Sequence, residues 1–132
     1  MIDTRSAPPE LATLQREMPE VPVFAGDIPD AIVSRGGEWV VSPGIALDDP
    51  LVLRALAAGA EVVGDIDLFM RAARAPVVGI TGSNAKSTVT ALLGEMALEA
   101  GLNAGIGGNL GTPALDLLAA DRELYVLELS SF

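Results

Sequence analysis

The 132-residue chain has no cysteine and no histidine. Without cysteine there is no disulfide framework and no thiolate metal site. Without histidine there is no Ser–His or Cys–His nucleophile pair and no imidazole ligand. Aromatic residues make up only 4% of the chain although half of it is hydrophobic, so the core must be built from Ala, Val, Leu and Ile. No apolar run approaches the roughly 20 residues that cross a bilayer. The start, "MIDTRSAPPE", lacks the basic and apolar regions of a signal peptide. Positive charge is scarce as well: 8 bases stand against 18 acids, a net charge of −10. A nucleic-acid footprint needs a basic face, and none is available here. The expectation is a soluble cytoplasmic protein with neither nucleic acid nor membrane as partner. Any anionic ligand must be held locally, by backbone amides and a few placed cations.

What is present alternates between strand and helix patterns. Leu11, Leu14 and Met18 fall at helical spacing after Pro8–Pro9. Residues 21–26 and 38–44 are short β-rich runs ended by Gly or Pro-Gly. Residues 48–59 read as a helix with Asp at its start, an early Pro50 and Gly59 at its end. A strand follows over 60–65, then a short helix in "IDLFMRAAR", and Ala75–Pro76 breaks the pattern. A second series runs from Pro76. Its strand, "PVVGIT", leads to a helix with Val89, Leu92, Leu93, Met96, Ala97 and Ala100 on one stripe. Next comes the strand in "GLNAGIGGN", then a helix with Thr112 as N-cap and Pro113 at its first position. The strand "ELYVLELSSF" closes the chain. Strands separated by helices of this length imply parallel sheets with helical crossovers, hence an α/β fold.

"MIDTR" reads as the tail of a strand, and the chain stops directly after another. A fragment is therefore expected: residues 1–74 the latter part of one α/β domain, and 75–132 the opening of a second.

The chemistry concentrates in "GITGSNAKST" (79–88), where a strand feeds a loop and the loop feeds a helix N-terminus. Free amides and the helix dipole there suit a phosphate. Lys86, the only lysine in the chain, adds a point charge, and Ser87 puts a hydroxyl where a phosphate-bound Mg²⁺ needs an oxygen. The alternative is a glycine-rich turn with a solvated lysine. The general phosphate-loop pattern would want Gly at 80 and 85, where this chain has Ile80 and Ala85. Successive amides converge on an anion only if the backbone alternates in handedness, which places Ala85 at positive φ.

Around this loop stand "DTR" (3–5), "SPGIA" (42–46), "GDIDLF" (64–69), "GGNLGTPALDLL" (107–118) and "LYVLELSSF" (124–132). In that order the motifs resemble the Mur ligases, whose loop has the form T-G-x-x-G-K-[ST], and among them the D-glutamate-adding branch. The resemblance implies a Rossmann-like N-terminal domain, truncated here, that binds the UDP substrate. The start of a phosphate-loop, mononucleotide-binding parallel-sheet domain then follows.

It also implies an ATP- and Mg²⁺-dependent carboxylate–amine ligase of peptidoglycan synthesis. Its substrates would be UDP-N-acetylmuramoyl-L-alanine and D-glutamate, joined through an acyl phosphate by an enzyme monomeric at full length. By the same resemblance Gly82, Ser83, Asn84, Ala85, Lys86, Ser87 and Thr88 hold the nucleotide, with Lys86 catalytic. Ser87 and Glu128 take the metal. Asp3, Thr4, Arg5, Ser42, Pro43, Gly44, Asn109 and Ser130 meet the UDP substrate.

Residue by residue, blander readings stay open. Glu128 could be a solvent-facing acid at a strand end, Asn109 could be chosen for a left-handed turn, and "DTR" could be an ordinary loop. At the level of the chain, other Mur-type or folylpolyglutamate-type ligases, or a nucleotide-binding module without ligase activity, remain alternatives. Because the family also uses a carbamylated lysine, a histidine and a third domain, this segment is expected to be inactive alone.

Overall fold

A computed structural model describes residues 1–130 and divides the chain into two compact units, Met1–Trp39 with Leu47–Val62 and Val40–Ala46 with Val63–Phe132. The last two residues of the expected closing strand, Ser131 and Phe132, lie outside the described residues. Among those described, no helix is long and apolar enough to cross a membrane.

In the first unit β1 (Ile2–Asp3) pairs in parallel with β2 (Phe24–Ala25), with Ile2 opposite Phe24 and Asp3 opposite Ala25. β2 is shorter than the expected 21–26. Three helices accompany these strands: α1 (Leu11–Glu17), α2 (Asp30–Val33) and α3 (Pro50–Ala57). The sequence reading did not foresee α2, a single turn. α3 begins as its residues dictate: Asp49 accepts the Leu51 N–H at 2.8 Å, and Pro50 sits where no donor is needed. It ends at Gly59, whose φ of +84° only glycine adopts without strain. The core of this unit is Ile28, Val33, Ala55 and Ala60, with Ile2, Phe24, Ile32, Trp39 and Leu51 packed on it. β3 (Glu38–Val41) pairs with β4 (Glu61–Gly64).

The second unit holds α4 (Asp65–Ala72), β5 (Val77–Ile80), α5 (Lys86–Glu99), β6 (Ala104–Gly108) and β7 (Leu124–Glu128). Its sheet is fully parallel in the order β5–β7–β6, so α5 carries the chain over the place that β7 later fills. β7 alternates. Tyr125 and Leu127 join Phe69, Ala114 and Leu117 in one core cluster, and the Phe69 and Tyr125 rings meet edge to face at 5.0 Å. Val126 and Glu128 have the opposite parity.

Two elements differ from expectation. Instead of an α-helix after Thr112 there is a 3-10 turn over Ala114–Leu117, flanked by Pro113 rather than by a Thr112 cap. The Thr112 carbonyl is taken by the Gly108 N–H at 2.9 Å, and a three-residue repeat drops both Ala114 and Leu117 into the core. α5 forms as expected, but only part of the expected stripe is covered, Ala97 buried and Leu93 half-buried. Thr90, Gly94 and Ala97 are buried, while Val89, Leu92 and Met96 are exposed. A Cβ on Gly94 would lie 2.5 Å from Ile106 Cδ1, so close approach of helix to strand selects the small residues.

Candidate nucleotide and metal site

Parallel pairing brings three strand ends to one rim. Ile80, Glu128 and Gly108 stand in a single row of the ladder, and the segments that follow β5, β7 and β6 leave from it. Open α/β sheets bind ligands at this carboxyl rim.

The loop after β5 has the form a phosphate nest requires. Ala85 adopts φ 60°, ψ 9°, the left-handed conformation expected of it, and α5 begins at the next residue. Lys86 folds back across the loop, its Nζ donating to the Gly82 carbonyl at 2.8 Å. Ser87 Oγ donates to Glu128 Oε2 at 2.7 Å, bringing together two residues 41 positions apart. The parity of β7 aims Glu128 at α5. It is only 8% exposed, so it is not a solvent-facing acid.

On the other flank, Asn109 donates its backbone N–H to the Glu128 carbonyl at 2.9 Å and its side-chain amide to Ser130 Oγ at 2.7 Å. The left-handed-turn reading of Asn109 is not met. Gly108 carries the positive φ, +96°, and a Cβ there would lie 2.4 Å from the Glu128 carbonyl oxygen. This glycine lets the turn close on β7 and presents Asn109. Sequence reasoning also passed over Thr81, whose hydroxyl donates to the Ser130 carbonyl at 3.0 Å. Its signal was the threonine opening T-G-x-x-G-K.

The remaining sequence candidates lie elsewhere. Asp3, Thr4 and Arg5 belong to the first unit, at the end of β1. Arg5 donates its backbone N–H and Nε to Asp3 Oδ1, both at 2.9 Å, and Nη2 to Oδ2 at 2.6 Å. These side-chain and backbone hydrogen bonds hold the Asp3 carboxyl down at about 2, and the same pairing raises Arg5. Ser42, Pro43 and Gly44 form an exposed turn after β3, closed by the Ile45 N–H on the Ser42 carbonyl at 2.9 Å.

Ser87 and Glu128 together offer a hydroxyl and a carboxylate within hydrogen-bonding distance of one another, beside the amides of a 14-residue helix. Hard oxygen donors of this kind fit Mg²⁺, which keeps most of its ligands as water and phosphate oxygen. The arrangement defines a class: a parallel α/β protein with a strand–loop–helix turn at the carboxyl rim and a buried acid on the neighbouring strand.

Residues 1–64 match the family model described as Mur ligase MurD-like, N-terminal domain. Over 130 residues the chain is 60% identical to the UDP-N-acetylmuramoylalanine--D-glutamate ligase of Pseudomonas syringae pv. tomato, covering 98% of this chain and 29% of that protein. Against the enzyme of the same name from Pseudomonas aeruginosa it is 58% identical over 132 residues, 100% of this chain and 30% of the other. A solved pseudomurein peptide ligase type C from Methanothermus fervidus covers 98% of this chain and 27% of its own, with 20% identity and a TM-score of 0.49. Residues 1–64 thus resemble a MurD-like N-terminal domain, and the similarity to the curated ligases continues from there to β7. It spans less than a third of the length of those relatives.

Proposed function

We propose that this chain provides the UDP-substrate and ATP-binding segments of a ligase that adds D-glutamate to UDP-N-acetylmuramoyl-L-alanine, a cytoplasmic step of peptidoglycan biosynthesis. The observation that carries this reading is the Ser87–Glu128 contact beside a lysine-bearing loop whose Ala85 is left-handed. The relatives' names support the substrate pair. In functional terms we place the UDP-substrate domain in residues 1–74 and the ATP domain in 75–132. Structurally, α4 packs with the second unit.

In the proposed reaction the substrate carboxylate attacks the γ-phosphorus of ATP, giving an acyl phosphate and ADP. The D-glutamate amine then attacks the acyl carbon, loses a proton and expels inorganic phosphate. The transferring group carries spread negative charge, so catalysis rests on positioning and neutralisation more than on a protein nucleophile. Lys86 would leave the Gly82 carbonyl for the terminal phosphates, and the amides of 83–88 would cradle them. Ser87 and Glu128 would hold Mg²⁺, which neutralises phosphate charge when bound. Asn109 and Ser130 would hydrogen-bond the UDP substrate at the rim, and Asp3, Thr4, Arg5 and the 42–44 turn its nucleotide end.

The test is phosphate release by the whole protein with ATP, Mg²⁺ and UDP-N-acetylmuramoyl-L-alanine, comparing D-glutamate with other amino acids. Release that depends on D-glutamate is expected. Release indifferent to the amino acid, or none, contradicts the proposal.

A further inference from the structure

Beyond Glu128 the parallel ladder of β7 runs out, yet Ser130 is held from two sides. Its hydroxyl accepts from the Asn109 side-chain amide at 2.7 Å, and its carbonyl accepts from Thr81 Oγ1 at 3.0 Å. One backbone bond precedes this pair, from the Leu129 N–H to the Ile80 carbonyl at 2.8 Å. Thr81 thus extends the β5–β7 pairing one step past the main-chain ladder, with a side chain in place of a peptide. It is also the residue before Gly82, the carbonyl of which takes Lys86 Nζ. A single residue therefore joins the start of the phosphate loop to the segment carrying Ser130. Threonine suits the task because two heavy atoms on Cβ restrict χ1 and keep the hydroxyl aimed.

We propose that Thr81 is a positioning residue for the UDP substrate: it fixes the main chain at Ser130, and through it the orientation of the Ser130–Asn109 pair toward that substrate. This rests on the function proposed above. Thr81 contacts no reacting atom. Its effect is transmitted by the Ser130 carbonyl, and the nucleotide phosphates are held by other groups of the loop. Loss of the hydroxyl must therefore weaken the UDP substrate while leaving ATP nearly untouched.

The experiment compares Thr81→Val, which keeps the shape and removes the donor, with Thr81→Ser, which keeps the donor. Thr81→Ala serves as a second variant lacking it. In the whole protein, steady-state KM is measured separately for UDP-N-acetylmuramoyl-L-alanine and ATP, and binding of the UDP substrate is titrated directly. The side-chain amide resonance of Asn109 reports the geometry of the pair without any turnover.

One hydrogen bond at this position corresponds to a change of about threefold to tenfold. Thr81→Val and Thr81→Ala should raise the KM and Kd for the UDP substrate by that factor, with the KM for ATP within about twofold. The Asn109 amide resonance should shift in both variants, and Thr81→Ser should restore both the resonance and the KM. Equal effects on the two substrates, no recovery with serine, or an unmoved Asn109 resonance would overturn the positioning role. A wild-type protein that does not bind the UDP substrate overturns the functional reading itself, and this inference with it. Intact wild-type binding with an unaffected Thr81→Val removes only the inference.

Discussion

Ser87 Oγ donates a 2.7 Å hydrogen bond to Glu128 Oε2, joining the first turn of α5 to the last residue of β7. Two features of the chain produce it. β5 and β7 pair in parallel with Ile80 opposite Glu128, so the loop after β5 and the end of β7 arrive at the same rim. The period-two alternation of β7 then turns Glu128 away from the Tyr125–Leu127 face and toward the helix. Under the proposed function Ser87 and Glu128 would hold Mg²⁺ here, and the ion would supply neutralisation of phosphate charge.

Ala85 sits at φ 60° where a phosphate loop ordinarily has glycine. A side chain in this conformation costs about 1–2 kcal/mol, and glycine adds about 0.4–1 kcal/mol of unfolded-chain entropy. Ala85→Gly should therefore range from neutral to about 1.6 kcal/mol stabilising. Urea denaturation of the two proteins side by side checks this, and a loss of more than about 1 kcal/mol would contradict it.

Asp3 should titrate far below an ordinary carboxylate. Its hydrogen bonds from Arg5 favour the charged form and hold it at about 2 against the usual 3.8. The pairing therefore contributes its full stability above pH 3.8 and loses it as pH falls through about 2. An NMR titration of the Asp3 carboxyl should place its midpoint near 2, and Arg5→Met should return it toward 3.8. A wild-type midpoint at the usual carboxylate value would refute the pairing.

Thr90 is fully buried, and its hydroxyl has no hydrogen-bond partner among the described residues. Such a group carries a desolvation cost, and an apolar side chain of the same shape removes it. Thr90→Val should raise stability by about 1 kcal/mol, read as a higher thermal midpoint. A drop of similar size would show that the hydroxyl is satisfied.

The strand–loop–helix turn around Lys86 was legible because its signals are local. A strand, a glycine-bearing turn, Lys86–Ser87 and the start of a helix lie within the twelve residues 77–88, and each follows from neighbours in the chain. The helix ends at Asp49 and Gly59 were legible for the same reason. The buried face of α5 was legible only in part, at Leu93 and Ala97. Periodicity marks Val89, Leu92 and Met96, which are exposed, and passes over Gly94, which is buried because the helix approaches Ile106 too closely for a Cβ. The turn after Thr112 escaped because the Thr112 carbonyl is taken by the distant Gly108 N–H, which no local pattern announces. A turn role stayed open beside substrate contact for Asn109 because the positive φ could have fallen on either it or Gly108. The close approach of Glu128 assigns the positive φ to the glycine.

The most direct measurement is Mg²⁺-dependent binding of ATP by the whole protein, compared with Lys86→Ala and Glu128→Gln. Lys86 opens α5 and reaches back over the loop, contributing a placed charge more than packing, so its loss should spare the fold and weaken ATP by about a hundredfold. Lys86→Arg should fail as well, since a planar fork does not replace a compact ammonium in a tight loop. Glu128→Gln should leave residual ATP binding that no longer responds to Mg²⁺. Binding of ATP by Lys86→Ala within about twofold of wild type, with Mg²⁺ dependence intact in Glu128→Gln, would contradict the assignment of this site.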